Sequence, residues 1–233
     1  MKAVHIPEIR SLPLFRGMED GNFDELVRGA YIQNFPSQIE LIAEGEPSDF
    51  LHVVVEGTVE LFASWNGRDT SLAMVRPIGT FILAATIRDA TYLMSARTLQ
   101  KSRIVLIPSE DVRSIFEKDA GFARAVVTEL AQCYRAVIRN TKNLKLRTSI
   151  ERLANYLVRK QKEAGGAMSF LLEIEKRRLA SYLGMTPENL SRAIKSLQAY
   201  GVTVDGSQVT ITDLQVVLGL AKHPLDDKFD LSN

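Results

Sequence analysis

The chain of 233 residues has a single cysteine, Cys133, and three histidines, His5, His52 and His223. One thiol excludes an intramolecular disulfide framework, a Cys-based zinc site and a four-thiolate iron–sulfur cluster from one chain. The histidines lie far apart and no His-x-His occurs. A cupin-like metal enzyme, which needs closely spaced His and Glu ligands, is therefore disfavoured. No metal ligand set is assigned, no catalytic residue is identified, and no P-loop, nucleophile elbow or G-x-G-x-x-G is present. Apolar runs never approach the roughly 20 residues that cross a bilayer, and the N-terminal MKAVHIPEIRSLPLFRG lacks a signal-peptide core. The expectation is a reduced, cytoplasmic protein with no membrane span and no enzymatic activity.

What is present is an uneven charge. The net charge is +1, from 29 Lys+Arg and 28 Asp+Glu. Residues 139–200 hold 13 basic and 5 acidic side chains, a net of +8, against −7 for the remainder. A basic segment in an otherwise acidic chain is a footprint for a polyanion, although solvated helix faces produce the same count.

Hydropathy patterning divides the chain in three. Phe23, Leu26 and Val27 give a short amphipathic helix within 18–30. From Tyr31 to Pro108, β-rich runs at 51–55, 58–64, 70–75 and 102–107 alternate with turn signals, Asn66-Gly67 the strongest. Such runs build a small antiparallel sandwich or barrel. Beyond Pro108 the period becomes helical. Ser109-x-x-Val112 opens a short helix. A longer one spans 120–146, where Ala123, Val127, Leu130, Tyr134, Val137, Thr141 and Leu144 step by alternating fours and threes. That is a heptad seam for a homodimer, while Phe122, Val126 and Cys133 form a second stripe able to pack on the sandwich. Thr148 caps a further helix to Glu163, which Gly165-Gly166 ends.

Residues 175–199 fit a helix-turn-helix. Leu179, Ala180 and Leu183 face inward from the first helix, Gly184 makes the turn, Thr186 is an N-cap and Pro187 takes the first helical position. Leu190, Ala193, Ile194 and Leu197 form the buried stripe of the second helix. Glu188, Asn189, Ser191, Arg192 and Lys195 then point outward, and these side-chain types read base edges. Arg177 and Arg178 suit backbone phosphates. Residues 201–212 read as a two-stranded wing with Asp205-Gly206 in its turn.

On these marks, EGEPSDFLHVVVEGTVELF, RPIGTF, the long helix and LASYLGMTPENLSRAIKSLQAYG, the chain resembles the CRP/FNR superfamily of bacterial transcription factors over roughly residues 10–215. The resemblance implies an α+β protein: an N-terminal antiparallel β-roll (a cyclic-nucleotide-binding-like jelly roll, 1–119), a dimerisation helix and hinge (120–147), and a winged helix-turn-helix (148–233). It implies double-stranded DNA and RNA polymerase as partners of a homodimeric activator. Glu188-x-x-Ser191-Arg192 matches the FNR-type recognition helix, so Glu188, Ser191 and Arg192 would read a TTGA-like half-site, Arg192 on its G, within a TTG…CAA palindrome with half-sites about one helical turn apart.

The family's sensing modes are distinguished by residues. The glutamate expected after Gly79-Thr80-Phe81 is missing, and the positions of the phosphate-binding Arg-Ser pair hold Tyr92-Leu93. A buried phosphate would lose its charge-assisted bonds, which argues against cAMP. One cysteine argues against an iron–sulfur cluster. The stretch 81–112 resembles the nitric-oxide-responsive NnrR and DNR type regulators of denitrification. That resemblance implies an apolar effector pocket involving Phe81, Leu83, Tyr92, Met94, Leu130 and Tyr134, with haem b as receptor and His5, His52, Met94, Cys133 or Tyr134 as axial donors. A regulator answering another effector, a constitutive regulator and a DNA-free interaction subunit are the alternatives.

Overall fold

A computed structural model describes residues 6–221. The chain separates into two units, Met1–Val137 and Ile138–Asn233.

In the first unit, helices α1 (Ile6–Arg10), α2 (Pro13–Arg16) and α3 (Asp20–Arg28) precede strands β1 (Tyr31–Phe35), β2 (Glu40–Ile42), β3 (Phe50–Glu56), β4 (Val59–Trp65), β5 (Arg68–Val75) and β6 (Gly79–Phe81). Helix α4 (Leu83–Arg88), strands β7 (Ser95–Thr98) and β8 (Ser102–Pro108) and helix α5 (Ser109–Lys118) follow, then the start of α6 (Ala120–Leu146). Two antiparallel four-stranded sheets form, in the orders β1-β8-β3-β6 and β2-β7-β4-β5. The β4–β5 hairpin turns at Asn66 and Gly67, with φ of 50° and 71°, and pairs Trp65 with Arg68.

Alternation along β3 explains the unbroken apolar run. Leu51 and Val53 join α1–α3, α5, Phe122 and Val126 in one core. Val54, one pleat away, meets Phe81, Ile104, Leu61 and Ala96 in a second core between the sheets. The β1-β8-β3-β6 sheet is therefore covered on both faces, and a doubly covered strand reads as continuous hydrophobicity. Asp119 fixes the entry to α6 by accepting from the Phe122 and Glu19 backbone N–H groups at 2.8 and 3.0 Å.

The second unit holds the remainder of α6, then α7 (Ser149–Glu163), β9 (Ser169–Leu171), α8 (Lys176–Tyr182), α9 (Pro187–Leu197), β10 (Val202–Asp205), β11 (Gln208–Ile211) and α10 (Leu214–Ala221). A capping box opens α7: the Thr148 hydroxyl accepts from the Glu151 N–H, and the Glu151 carboxylate accepts from the Thr148 N–H. Strands β10 and β11 form the wing, and β9 adds a third strand beside β11. Asp205 pairs with Gln208, so the wing turn spans Asp205 to Gln208 and centres on Gly206-Ser207. Leu153, Leu157, Phe170, Leu179, Leu190, Leu197, Val209 and Val217 share a single core.

Among the described residues no helix is long and apolar enough to cross a membrane, and no cluster of three or more His, Cys, Asp or Glu gathers to hold a metal.

Candidate nucleic-acid interface

Helix α9 is built to show one face. Leu190, Ala193 and Leu197 are buried and Ile194 is half-buried, at the three- and four-residue steps of one stripe. Thr186 caps the helix, its hydroxyl accepting from the Asn189 N–H at 3.2 Å, and Pro187 starts it. Ahead of the helix, Gly184 has φ of +62°, and a Cβ there would lie 2.5 Å from Leu144 Cδ2. The turn therefore favours glycine for its backbone angle, with the Leu144 side chain packed closely over it. Arg152 ties the same region together. Its guanidinium donates to the carbonyls of Arg147 at 2.8 Å and Gly184 at 3.2 Å.

Opposite the buried stripe, Thr186, Glu188, Ser191, Arg192 and Lys195 are exposed and Asn189 is half-buried. Arg192 donates to Asn189 Oδ1. A guanidinium has five N–H donors in a rigid fork, so this contact orients the group and leaves others free for a base. The Ser191 hydroxyl donates to the Pro187 carbonyl at 3.0 Å and keeps its lone pairs. Glu188 is held below the usual carboxylate range, first by its own backbone N–H, then by the Thr186 hydroxyl and the charge of Arg192. It is thus an acceptor at neutral pH. On α8, Arg177 is exposed, while Arg178 is half-buried with Glu175 3.8 Å away.

Residues 32–119 match the model of the cyclic nucleotide-binding domain. Residues 151–217 match that of the Crp-like helix-turn-helix domain. The chain belongs to the CRP/FNR superfamily. It is 23% identical over 206 residues to a CRP-like cAMP-activated global transcriptional regulator of Mycobacterium tuberculosis, covering 86% of this chain and 92% of that protein. It is 24% identical over 222 residues to the transcriptional activator protein anr of Pseudomonas aeruginosa, covering 92% and 90%. The fold matches that of FixK2 from Bradyrhizobium japonicum with a TM-score of 0.72 at 23% identity, covering 82% of this chain and 96% of that one. A CRP/FNR-type DNA-binding transcriptional regulator, not an enzyme, is therefore the class to which the exposed face of α9 belongs.

Within this CRP/FNR frame, the dimer seam expected on α6 is largely open to solvent: Val127 is 62% exposed, Tyr134 67% and Val137 60%. Thr141 is also exposed. The ends of the seam have neighbours in their own chain. Ala123 is half-buried, Leu130 packs partly against the first core, and Leu144 lies against Gly184. Of the second stripe, Phe122 and Val126 are fully buried, but Cys133 is exposed, because the first core ends before that turn of the helix.

The expected effector residues do not converge. Phe81, Tyr92 and Met94 belong to the core between the sheets, and Leu83 and Leu130 to the other core. Leu83 begins the unexpected helix α4 and turns away from Phe81, while Tyr134 projects from α6 into solvent. A cavity of about 490 Å³ in the first unit is open to solvent. Its floor includes Ile42, His52, Tyr92 and Leu106, and its rim carries Gln33, Glu46 and Asp49. Only Tyr92 was expected there as a pocket residue, and His52 only as an axial donor.

Of the expected axial donors only His52 lines this cavity; Met94, Cys133 and Tyr134 do not, and His5 lies outside the described residues. The lining has no Lys or Arg to pair a haem propionate and carries the acids Glu46 and Asp49, so its charge does not suit haem b.

His52 is 3% exposed, its ring stacks on Phe81 at 4.8 Å, and its Nδ1 has no hydrogen-bond partner. Burial pushes its pKa down from 6.5 to about 4, against a smaller opposing effect of the Phe50 backbone. The unfolded chain therefore binds the extra proton first. Stability is lost as pH falls from about 6.5 towards 4, by about 3 kcal/mol in all at roughly 1.4 kcal/mol per unit. Urea unfolding at pH 7 and pH 4.5 is expected to show this loss in the wild type and a smaller one in His52→Phe. Equal losses would contradict a buried neutral imidazole.

Proposed function

We propose that the chain reads double-stranded DNA as a homodimer on a TTG…CAA palindrome. Glu188, Ser191 and Arg192 face base edges, with Asn189 orienting Arg192. Lys195, Arg177, Arg178 and the capped helix end at Thr186 face phosphates. The observation that carries this reading is the exposed array of acid, hydroxyl and guanidinium on the first turns of α9, whose opposite face is buried in the domain core. An acid accepts from the cytosine amino group, a guanidinium binds guanine O6 and N7, and a helix N-terminus favours phosphate oxygens. The open middle of the α6 seam supports the second copy. The proposed organisation is a sensor roll (1–119), a dimer helix and hinge (120–147) and a DNA-binding domain (148–233), with RNA polymerase as the partner of a cytoplasmic activator.

A salt titration of specific-site affinity tests the phosphate contacts. Lys195→Ala is expected to weaken binding to all sequences alike and to lower the slope of log K against log salt by about one. An unchanged slope would remove Lys195 from the phosphate contacts.

For the signal we propose nitric oxide, with genes of nitrogen-oxide metabolism activated in response. The support is the resemblance of residues 81–112 to the nitric-oxide-responsive branch, with haem b in the roll cavity disfavoured by the acidic rim. DNA affinity of the full chain, measured without oxygen before and after nitric oxide, tests it. Identical affinities would end this reading and leave a constitutive regulator or one answering another effector.

A further inference from the structure

The roll cavity combines features that the DNA reading does not use. It is about 490 Å³, within the size range of small-molecule sites, and it is open to solvent. Its walls mix aromatic and aliphatic side chains, Phe50, Tyr92 and Leu106 among them, with polar ones. At its floor His52 is almost wholly buried, with an Nδ1 that no protein group satisfies. A buried polar atom without a partner is rare in native folds, and a bound molecule is one way to satisfy it. Every charged residue in the lining is an acid, namely Glu46 and Asp49 on the rim. Tyr92 stands where the family resemblance places the arginine of a phosphate-binding pair. The charge logic of the pocket is thus the reverse of an anion site.

We propose that this cavity binds a small organic molecule with an apolar aromatic body and a cationic amine head. The body lies against Phe50, Tyr92 and Leu106, and the amine meets Glu46 and Asp49. An N–H or polarised edge of the ring satisfies the His52 imidazole. Cyclic nucleotides, carboxylates and haem propionates are excluded by the same rim, because each would bring an anion to two carboxylates without a countercharge. The inference rests on neither the DNA reading nor the nitric-oxide reading, and it is tested without DNA.

The test uses matched pairs that share one aromatic body: tryptamine with indole-3-acetate, and phenethylamine with phenylacetate. Each is titrated into the full chain by calorimetry. The amine of each pair is expected to bind at least tenfold more tightly than its acid. Glu46→Gln with Asp49→Asn, both on exposed side chains, is expected to bring the two members of a pair within about threefold. His52→Phe keeps the ring on Phe81 and removes the nitrogens, and is expected to weaken tryptamine at least fivefold. A preference for the acids, binding of neither amine at millimolar concentration, or amine selectivity that survives the rim double variant would each overturn the proposal.

Discussion

Arg192→Ala weakens binding to a TTG…CAA duplex by roughly 1–3 kcal/mol, about 5- to 150-fold, and relaxes the preference at the contacted G·C pair. The expectation follows from the placement of the side chain. Arg192 stands exposed on α9, oriented by Asn189 and opposite the buried Leu190, Ala193 and Leu197. Removing it takes nothing from the domain core, so the melting temperature should stay within a degree or two while sequence discrimination falls. The check is fluorescence anisotropy on two duplexes that differ only in that base pair. In the wild type they differ severalfold or more; in the variant they converge. An Arg192→Ala protein that still distinguishes the two duplexes would take the guanidinium off the base.

Val137→Asp gives the larger effect. Val137 sits at the middle of the α6 seam, 60% exposed in the isolated chain, between Tyr134 and Thr141. A carboxylate there is solvated in a monomer but desolvated against its own copy in a symmetric helix pair, at a cost of several kcal/mol. The variant should run as a monomer at micromolar concentration by light scattering and keep its helix content. Palindrome affinity should fall at least 100-fold, because two linked half-site contacts become independent ones. A dimer that survives Val137→Asp would move the interface off this seam.

What could be read from the sequence followed local chemistry. Asn66-Gly67 announced its hairpin because positive φ at two successive residues is demanded by that turn and tolerated by those residues. Thr186-Pro187 announced the start of α9 through a cap and a first-turn proline. The step of fours and threes from Ala123 to Leu144 lies on one helix, α6, and its middle residues Val127, Tyr134 and Val137 are exposed. Several short strands of the first unit escaped. Strands at Glu40–Ile42, Gly79–Phe81 and Ser95–Thr98 are too short to show a period, and Tyr31–Phe35 is half exposed and polar enough to read as loop. Helix α4 was hidden inside an apolar run, where burial in two different cores looks like one pocket lining. The cavity was least legible of all. Its lining comes from β1, β2, the β2–β3 connection, β3, β8 and the Tyr92 segment, and no local pattern joins residues so far apart in the chain. His52 gave a partial signal, as a lone histidine in a run of strand-forming apolar residues.

In the proposed complex two copies of α9 enter successive major grooves about one helical turn apart. The dissociation constant of the full chain is therefore best measured on a TTG…CAA palindrome and on the same duplex lengthened by about five base pairs between the half-sites, a half turn that rotates one site to the opposite face. At least a 100-fold loss is expected on the lengthened duplex, with affinity partly regained when a full turn is inserted. Equal affinity for the three duplexes would contradict it.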